Sequence, residues 1–194
     1  MRAMTVRRKT SETDIELSIN IDGEGKSDIE SGIGFFDHML TLFAAHGCVD
    51  LSLRANGDLL VDGHHTVEDI GITLGDAINE ILTDRAGINR YGTFYLPMDE
   101  ALAFVSLDIS GRPYLVYEAG ELTPIIGDFD TELVEEFLRA LAVHAGLTLH
   151  AKVLYGKNSH HKIEAIFKAL GHAFRIATSY DPRVAGIPST KGVL

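Results

Sequence analysis

Between positions 12 and 21 apolar residues occupy every second place (Ile15, Leu17, Ile19, Ile21), the period of a strand with one face buried. Positions 101–109 repeat the rhythm at Ala103, Val105, Leu107 and Ile109 but are more continuously apolar, which predicts a more buried strand. The spacing becomes helical over 35–46 and over 132–144, where Leu133, Phe137, Leu138 and Leu141 share a face. Short strands are predicted at 49–55 and 147–154, each followed by a turn at a glycine, Gly57 and Gly156. Two longer helices come next. One carries the stripe Val67, Ile70, Leu74, Ala77, Ile78, Ile81, the other Ile163, Ile166, Phe167, Leu170, Phe174, Ala177. Positions 181–194, with Pro182 and Pro188, read as an extended tail.

The plan is written twice. The run His64-His65-Thr66-Val67-Glu68 returns as His160-His161-Lys162-Ile163-Glu164, an HHxxE motif displaced by 96 positions. Upstream, Asp37-His38-Met39-Leu40 lies over Glu135-Glu136-Phe137-Leu138, and Ala44-Ala45-His46 over Ala142-Val143-His144. The alternating strand at 15–23 lies over 103–111, which sets Glu12 on Glu100. Three segments in one order, with offsets that loops absorb, predict an α+β fold of two tandem duplicated halves. Each half is a small mixed sheet with helices packed on one face. Residues 1–95 are expected to form the first repeat, and residues 96–194 the second together with a C-terminal tail.

Composition narrows the class. The 194 residues are 45% hydrophobic and 23% charged, as in an ordinary globule. With 17 basic against 28 acidic side chains the net charge is −11, which argues against a nucleic-acid partner while leaving room for a small anion held by a few gathered cations. One cysteine, Cys48, forms no intrachain disulfide and builds no thiolate metal site alone, so a reducing compartment is expected. The basic start, MRAMTVRRKT, lacks the apolar run of an export signal, and no stretch is long and apolar enough to span a membrane. The expectation is a cytoplasmic protein.

Nine histidines in so acidic a chain carry the chemistry. Neighbouring residues on a helix point about 100° apart, so adjacent imidazoles do not readily grip one ion, whereas residues three or four apart share a face. HHxxE therefore sets one His beside its Glu and turns the other His towards something else. Two such motifs in a duplicated frame predict a centre of about two divalent ions on which both motifs converge. His38 and Glu136 sit at equivalent places on the preceding helices and extend the candidate ligand set to His38, His64, His65, Glu68, Glu136, His160, His161 and Glu164. Imidazole and carboxylate without thiolate suit Mn²⁺ or Fe²⁺ better than structural Zn²⁺, and neither HExxH nor HxxEH occurs. His46, His144, His150 and His172 read as satisfied or solvated histidines. Arg90, Arg112, Lys168 and the tail run Ser189-Thr190-Lys191 are candidates for an anion clamp, with Lys168 one helical turn beyond Glu164 and over the metal face.

The runs FFDHML (35–40), DGHHTVED (62–69), MDEALA (98–103), SGRPYL (110–115), GKNSHHKIEAIFKA (156–169) and STKGVL (189–194) resemble the imidazoleglycerol-phosphate dehydratase family of histidine biosynthesis, from about Arg8 to the C-terminus. The resemblance implies a duplicated α+β unit, of the kind also seen in the second domain of a small-subunit ribosomal protein. It implies a lyase, removing water from imidazole glycerol phosphate to give imidazole acetol phosphate. It further implies two Mn²⁺ ions per active site, held at His38, His64, His65, Glu68, His160, His161 and Glu164. Many members carry His where this chain has Glu136, a harder and more anionic ligand. Catalysis is expected at Glu12, Glu68, Glu164, His65 and His161, with Glu12, Glu68 or Glu164 carrying the proton. Substrate contacts are expected at Glu12, His38, Arg90, Arg112, Lys168, Ser189, Thr190 and Lys191. Ligands shared between neighbouring subunits, in trimers that close into a shell of twenty-four chains, are implied as well. A di-metal phosphoester hydrolase would use the same ligands and clamp, and a metal-storage protein the same histidines.

Overall fold

The computed structural model describes residues 2–192 and 194; of the expected tail, Val193 lies outside the described residues. The elements run β1 (Ala3–Lys9), β2 (Thr13–Asn20), β3 (Ser27–Glu30), α1 (Gly34–Gly47), β4 (Asp50–Gly57) and α2 (His64–Leu82). They continue with β5 (Tyr91–Met98), β6 (Ala101–Asp108), β7 (Tyr114–Glu118), the small hairpin β8 (Ile125–Ile126) and β9 (Phe129–Asp130), then α3 (Leu133–His144), β10 (Thr148–Tyr155) and α4 (Ser159–Thr178). Apart from that hairpin, three strands, a helix, a strand and a helix follow one another twice. The sheets have matching orders, β1-β2-β4-β3 and β5-β6-β10-β7. In each, the first three strands pair antiparallel and the last joins in parallel, so both are mixed. The fold is the α+β arrangement of repeated halves that the sequence pattern indicates. The 95/96 division falls inside β5, which pairs with β6 from Tyr91 onward.

Each sheet is covered on one face by its own helices. α2 lies over β1 and β2 and α1 over β3, while α4 lies over β5 and β6 and α3 over β7. Between the sheets the helices cross over: α2 packs on α3, and α1 on α4. Alternation drives this layering, since Ile15, Leu17 and Ile19 of β2 and Ala103, Val105 and Leu107 of β6 all point inward and are buried. At the centre of the helical layer Phe137 meets Phe36 edge-on at 5.1 Å between centroids and Phe167 in a stack at 5.5 Å. Each fully buried aromatic contributes about 1.5–3 kcal/mol.

Both helix crossings pass through a glycine. A methyl on Gly171 of α4 would lie 2.7 Å from the Phe43 carbonyl oxygen and 2.8 Å from the Gly47 nitrogen of α1. A methyl on Gly75, its repeat counterpart, would lie 2.6 Å from His144 Cβ and 2.9 Å from the Ala145 nitrogen. Side chains do not separate the backbones there. The outer faces differ. Sheet one presents charged ladders, Arg7 with Glu16 at 2.7 Å and Arg54 with Asp28 at 2.6 Å. Sheet two presents aromatic rings, Tyr95 against Phe104 at 4.8 Å, with Tyr91 and Tyr114 exposed.

Candidate active site

α4 opens behind Asn158, whose side-chain oxygen accepts from the His161 backbone nitrogen at 3.3 Å, an N-cap that satisfies one free donor of the first turn. One turn along, Glu164 Oε2 lies 3.0 Å from His160 Nε2, and His38 Nε2 from α1 approaches the same oxygen to 3.6 Å. The ligand atoms of His38, His160 and Glu164 all lie within 4.8 Å of one another. Glu164 is only 7% exposed, and its other oxygen takes Lys168 Nζ at 2.5 Å. Burial opposes ionisation of this carboxyl, yet the Lys168 hydrogen bond and charge, with His160, more than offset it and hold its pKa below the ordinary range. Phe35 sets its ring edge-on to His160 at 5.1 Å. A buried, ionised carboxylate beside two imidazoles is a donor set that fits a divalent cation.

His161 faces elsewhere, its ring 6.3 Å from that of His160 and turned by 81°. Its Nδ1 meets Glu100 Oε2 at 2.7 Å, which raises its pKa. Glu100 in turn is drawn down to about 2 by the Asn158 backbone N–H, the His161 ring and the Lys157 backbone N–H. The first motif is built alike. His64 and His65 stand 6.2 Å apart at 87°, and His65 Nδ1 meets Asp58 at 3.0 Å, with Glu12 at 3.8 Å. The Asp58 hydrogen bond raises the His65 pKa.

The motifs do not converge within one chain. Among the described residues the one cluster of three candidate ligands is His38 with His160 and Glu164. His64 lines a separate cavity of about 280 Å³ with Asp62, Asp128 and Asp130, and Glu68 and Glu136 are half-buried outside the cluster. The helix crossing explains this: each motif opens a helix that faces a different partner, α4 against α1 and α2 against α3.

The anion clamp is likewise divided. Arg90, Arg112, Ser189, Thr190 and Lys191 line one open cleft of about 770 Å³, with Tyr91, Pro188 and Leu194. Lys168 is not part of it and sits on Glu164 instead. The Arg90 backbone N–H donates to the Ala177 carbonyl near the C-terminal end of α4, whereas His160 is in its first turn. Seventeen residues of helix separate those positions, about 25 Å at the α-helical rise. Within one chain, then, Lys168 stands at the histidine end of α4, and Arg90 and Arg112 stand at its far end. Arg90 is itself largely engaged, forked onto Asp108 at 2.6 and 3.0 Å and donating to the Pro188 carbonyl at 2.8 Å. Arg112 is 67% exposed, 3.7 Å from Asp108, and free to meet an anion.

The four remaining histidines stay out of the cluster. His144 pairs with Asp76 at 2.8 Å. At the equivalent helix crossing His46 Nδ1 faces His172 Nε2 at 3.2 Å, with Phe94 stacked on His172 at 4.1 Å. His150 lies on the outward side of β10, between buried Leu149 and Ala151. Sequence reasoning missed Asp58, Glu100 and Asp108. Only Glu100 had a signal, as the repeat counterpart of Glu12. No described helix is long and apolar enough to cross a membrane.

Comparison with known proteins adds the family. Residues 31–174 match the family model described as imidazoleglycerol-phosphate dehydratase. Proteins of that name from Clostridium botulinum (62% identical over 189 residues, 97% of this chain and 96% of the relative) and Listeria welshimeri (59% over 194 residues, all of both chains) are similar along the whole length. Crystal structures of such dehydratases from Staphylococcus aureus (45% identity, TM-score 0.84, 92% of this chain and 99% of that one) and Pyrococcus furiosus (42%, 0.84, 97% and 100%) share the fold.

Proposed function

The chain belongs to the imidazoleglycerol-phosphate dehydratase family, hydro-lyases of histidine biosynthesis, and on that premise we propose how its residues divide the work. The observation that carries the reading is the convergence of His38, His160 and Glu164, with Lys168 on the same carboxylate. These residues hold a divalent cation, Mn²⁺ by the hardness of the donors. His64, His65, Glu68, Glu136 and His161 complete a two-ion centre. Bound there, the cations supply Lewis-acid stabilisation of the charge that builds up on the substrate's imidazole ring.

The protein's own groups do the rest. Arg112 and the Ser189–Lys191 run bind the phosphate, and Arg90 holds that run in place through Pro188. Glu164 is buried and doubly engaged, so it stays a ligand. Glu12, half-exposed and no closer than 3.8 Å to His65, is free to take the C–H proton of the substrate. The elimination breaks that C–H bond and the neighbouring C–OH bond, water departs, and the enol product tautomerises to the ketone.

Imidazole and phosphate of so small a substrate cannot bridge about 25 Å of helix. The phosphate cleft of one chain therefore serves the imidazole end of another, which supports self-assembly into the trimers and twenty-four-chain shell that the family resemblance implies. Leu60, fully exposed beside the first motif, suits burial at such a contact. The two repeats meet in the segment just before β5, and the free Cys48 suits a cytoplasmic setting.

The test is turnover of imidazole glycerol phosphate by metal-stripped protein with and without added Mn²⁺. Formation of the keto product only with Mn²⁺, and a loss of more than about 100-fold in turnover for His160→Ala, are expected. Full activity without any divalent metal would sink the metal reading. Release of inorganic phosphate would point to a hydrolase.

A further inference from the structure

Glu100 sits at the tip of the hairpin joining β5 to β6, in a turn that only Asp99 and Glu100 form, Asp99 being left-handed at φ 48°. So short a connection leaves the carboxylate little freedom. Oε1 accepts from the backbone N–H groups of Lys157 at 3.0 Å and Asn158 at 2.7 Å, at the start of α4. Oε2 accepts from His161 Nδ1 at 2.7 Å. Both oxygens are spent, and an ionised carboxylate only accepts, so the proton of the neutral imidazole must reside on Nδ1.

The repeat makes the assignment sharper. In the first half the corresponding turn is one residue longer, Thr10 to Glu12, and Glu12 stands 3.8 Å from His65 while Asp58 takes the imidazole Nδ1 at 3.0 Å. Two glutamates in equivalent places thus have different freedoms. One is fixed by three hydrogen bonds; the other is relieved of that task by an aspartate from the β4–α2 connection.

We infer that Glu100 is a positioning residue, tying the His161 ring to the first turn of α4 and locking the tautomer that leaves Nε2 as the outward lone pair, with Asp58 doing the same for His65. This rests on the reading of the paired histidines as metal ligands. A carboxylate behind a ligating imidazole fixes ring and tautomer, and its loss typically weakens metal binding 10–100-fold.

The experiment compares wild type, Glu100→Gln and Asn158→Ala by Mn²⁺ titration followed by electron paramagnetic resonance, with thermal melting of each. In Glu100→Gln the amide oxygen can still accept from the two backbone N–H groups, which turns the NH₂ towards His161 and drives its proton to Nε2. Mn²⁺ affinity is expected to fall about 10–100-fold. Asn158→Ala removes the α4 cap without touching the ring, so it should lower the melting temperature and leave affinity within about twofold. Unchanged affinity in Glu100→Gln, or an equal loss in Asn158→Ala, would overturn the inference. Failure of wild type to bind Mn²⁺ at all would overturn it together with the metal reading. Neutron diffraction of the deuterated wild type checks the tautomer without any variant: a deuteron on His161 Nδ1 is expected, and a bare Nδ1 refutes it.

Discussion

Arg90 shows how much one residue can be asked to do. It adopts a left-handed backbone (φ 70°), forks onto Asp108 with both side chains largely buried, and donates a third bond to the Pro188 carbonyl. A lysine keeps the charge but not the planar fork, and leaves a carbonyl and half a carboxylate unpaired. Arg90→Lys is therefore expected to cost about 2 kcal/mol in urea unfolding and to speed proteolytic nicking of the 183–192 tail. An unchanged nicking rate would show that the tail is held otherwise. The sequence exposed this residue as a cation but not as a buried one, because Asp108 and Pro188, which decide its role, lie 18 and 98 positions away. Asp58 escaped notice for the same reason, as a loop carboxylate with no periodic signal, and Glu100 was marked only by the repeat, its task becoming visible once the turn is folded against a helix.

At the scale of the element, periodicity was a good guide where a strand or helix has one clean apolar face. β2, β6 and all four helices are legible in that way. β1 hides its alternation under Arg7, Arg8 and Lys9, whose charges are answered by Glu16, Asp69 and Asp14. β3 has one apolar residue, β5 contains Gly92 and Pro97, and β7 is a short run, so none marks itself. The paired helices also differ in a way that pH can read. At the α2–α3 crossing His144 faces Asp76, an attraction when the ring is charged. At the α1–α4 crossing His46 faces His172, with Phe94 of β5 stacked behind and Glu164, Lys168 and Arg175 of α4 as the charges acting on the pair. Burial above all lowers both values from the ordinary 6.5, aided by Lys168 and Arg175 at His46 and by His46 and Arg175 at His172, while Glu164 opposes the shift at His46. A lowered folded-state value means that the unfolded chain binds protons first. Stability is thus complete above about pH 6.5 and is lost as the pH falls through the depressed folded values. His172→Phe should remove that contribution, so between about pH 7 and pH 5 its urea midpoint should fall less, or rise more, than that of the wild type. An identical slope in the variant would remove the pair from the account.

For the whole molecule, the repeat was legible because both copies kept their HHxxE runs and their inward residues. Where the copies meet was not, since which helix packs on which is absent from any local pattern. That crossing sends the two motifs to different partners, and within one chain the His160–Glu164 cluster and the Arg112 cleft lie at opposite ends of α4. The proposed sharing of a site between chains predicts complementation. His160→Ala and Arg112→Ala chains, each inactive alone, should regain measurable dehydration when dissociated and reassembled together, since some sites then draw intact halves from two chains. Mixed assemblies with no activity would place the whole site within a single chain.

The glycine contacts between helix backbones give the molecule a fulcrum. Gly171 presses on α1 seven residues, about 10 Å, beyond Glu164 on one rigid rod. A methyl wedged at that point has no soft side chain to yield to it, and the rod must tilt. The displacement is levered to the far tip, where the ligand atoms of His38 on one rod and of His160 and Glu164 on the other lie within 4.8 Å of one another. The geometry of the proposed metal centre thus depends on a position that carries no side chain at all.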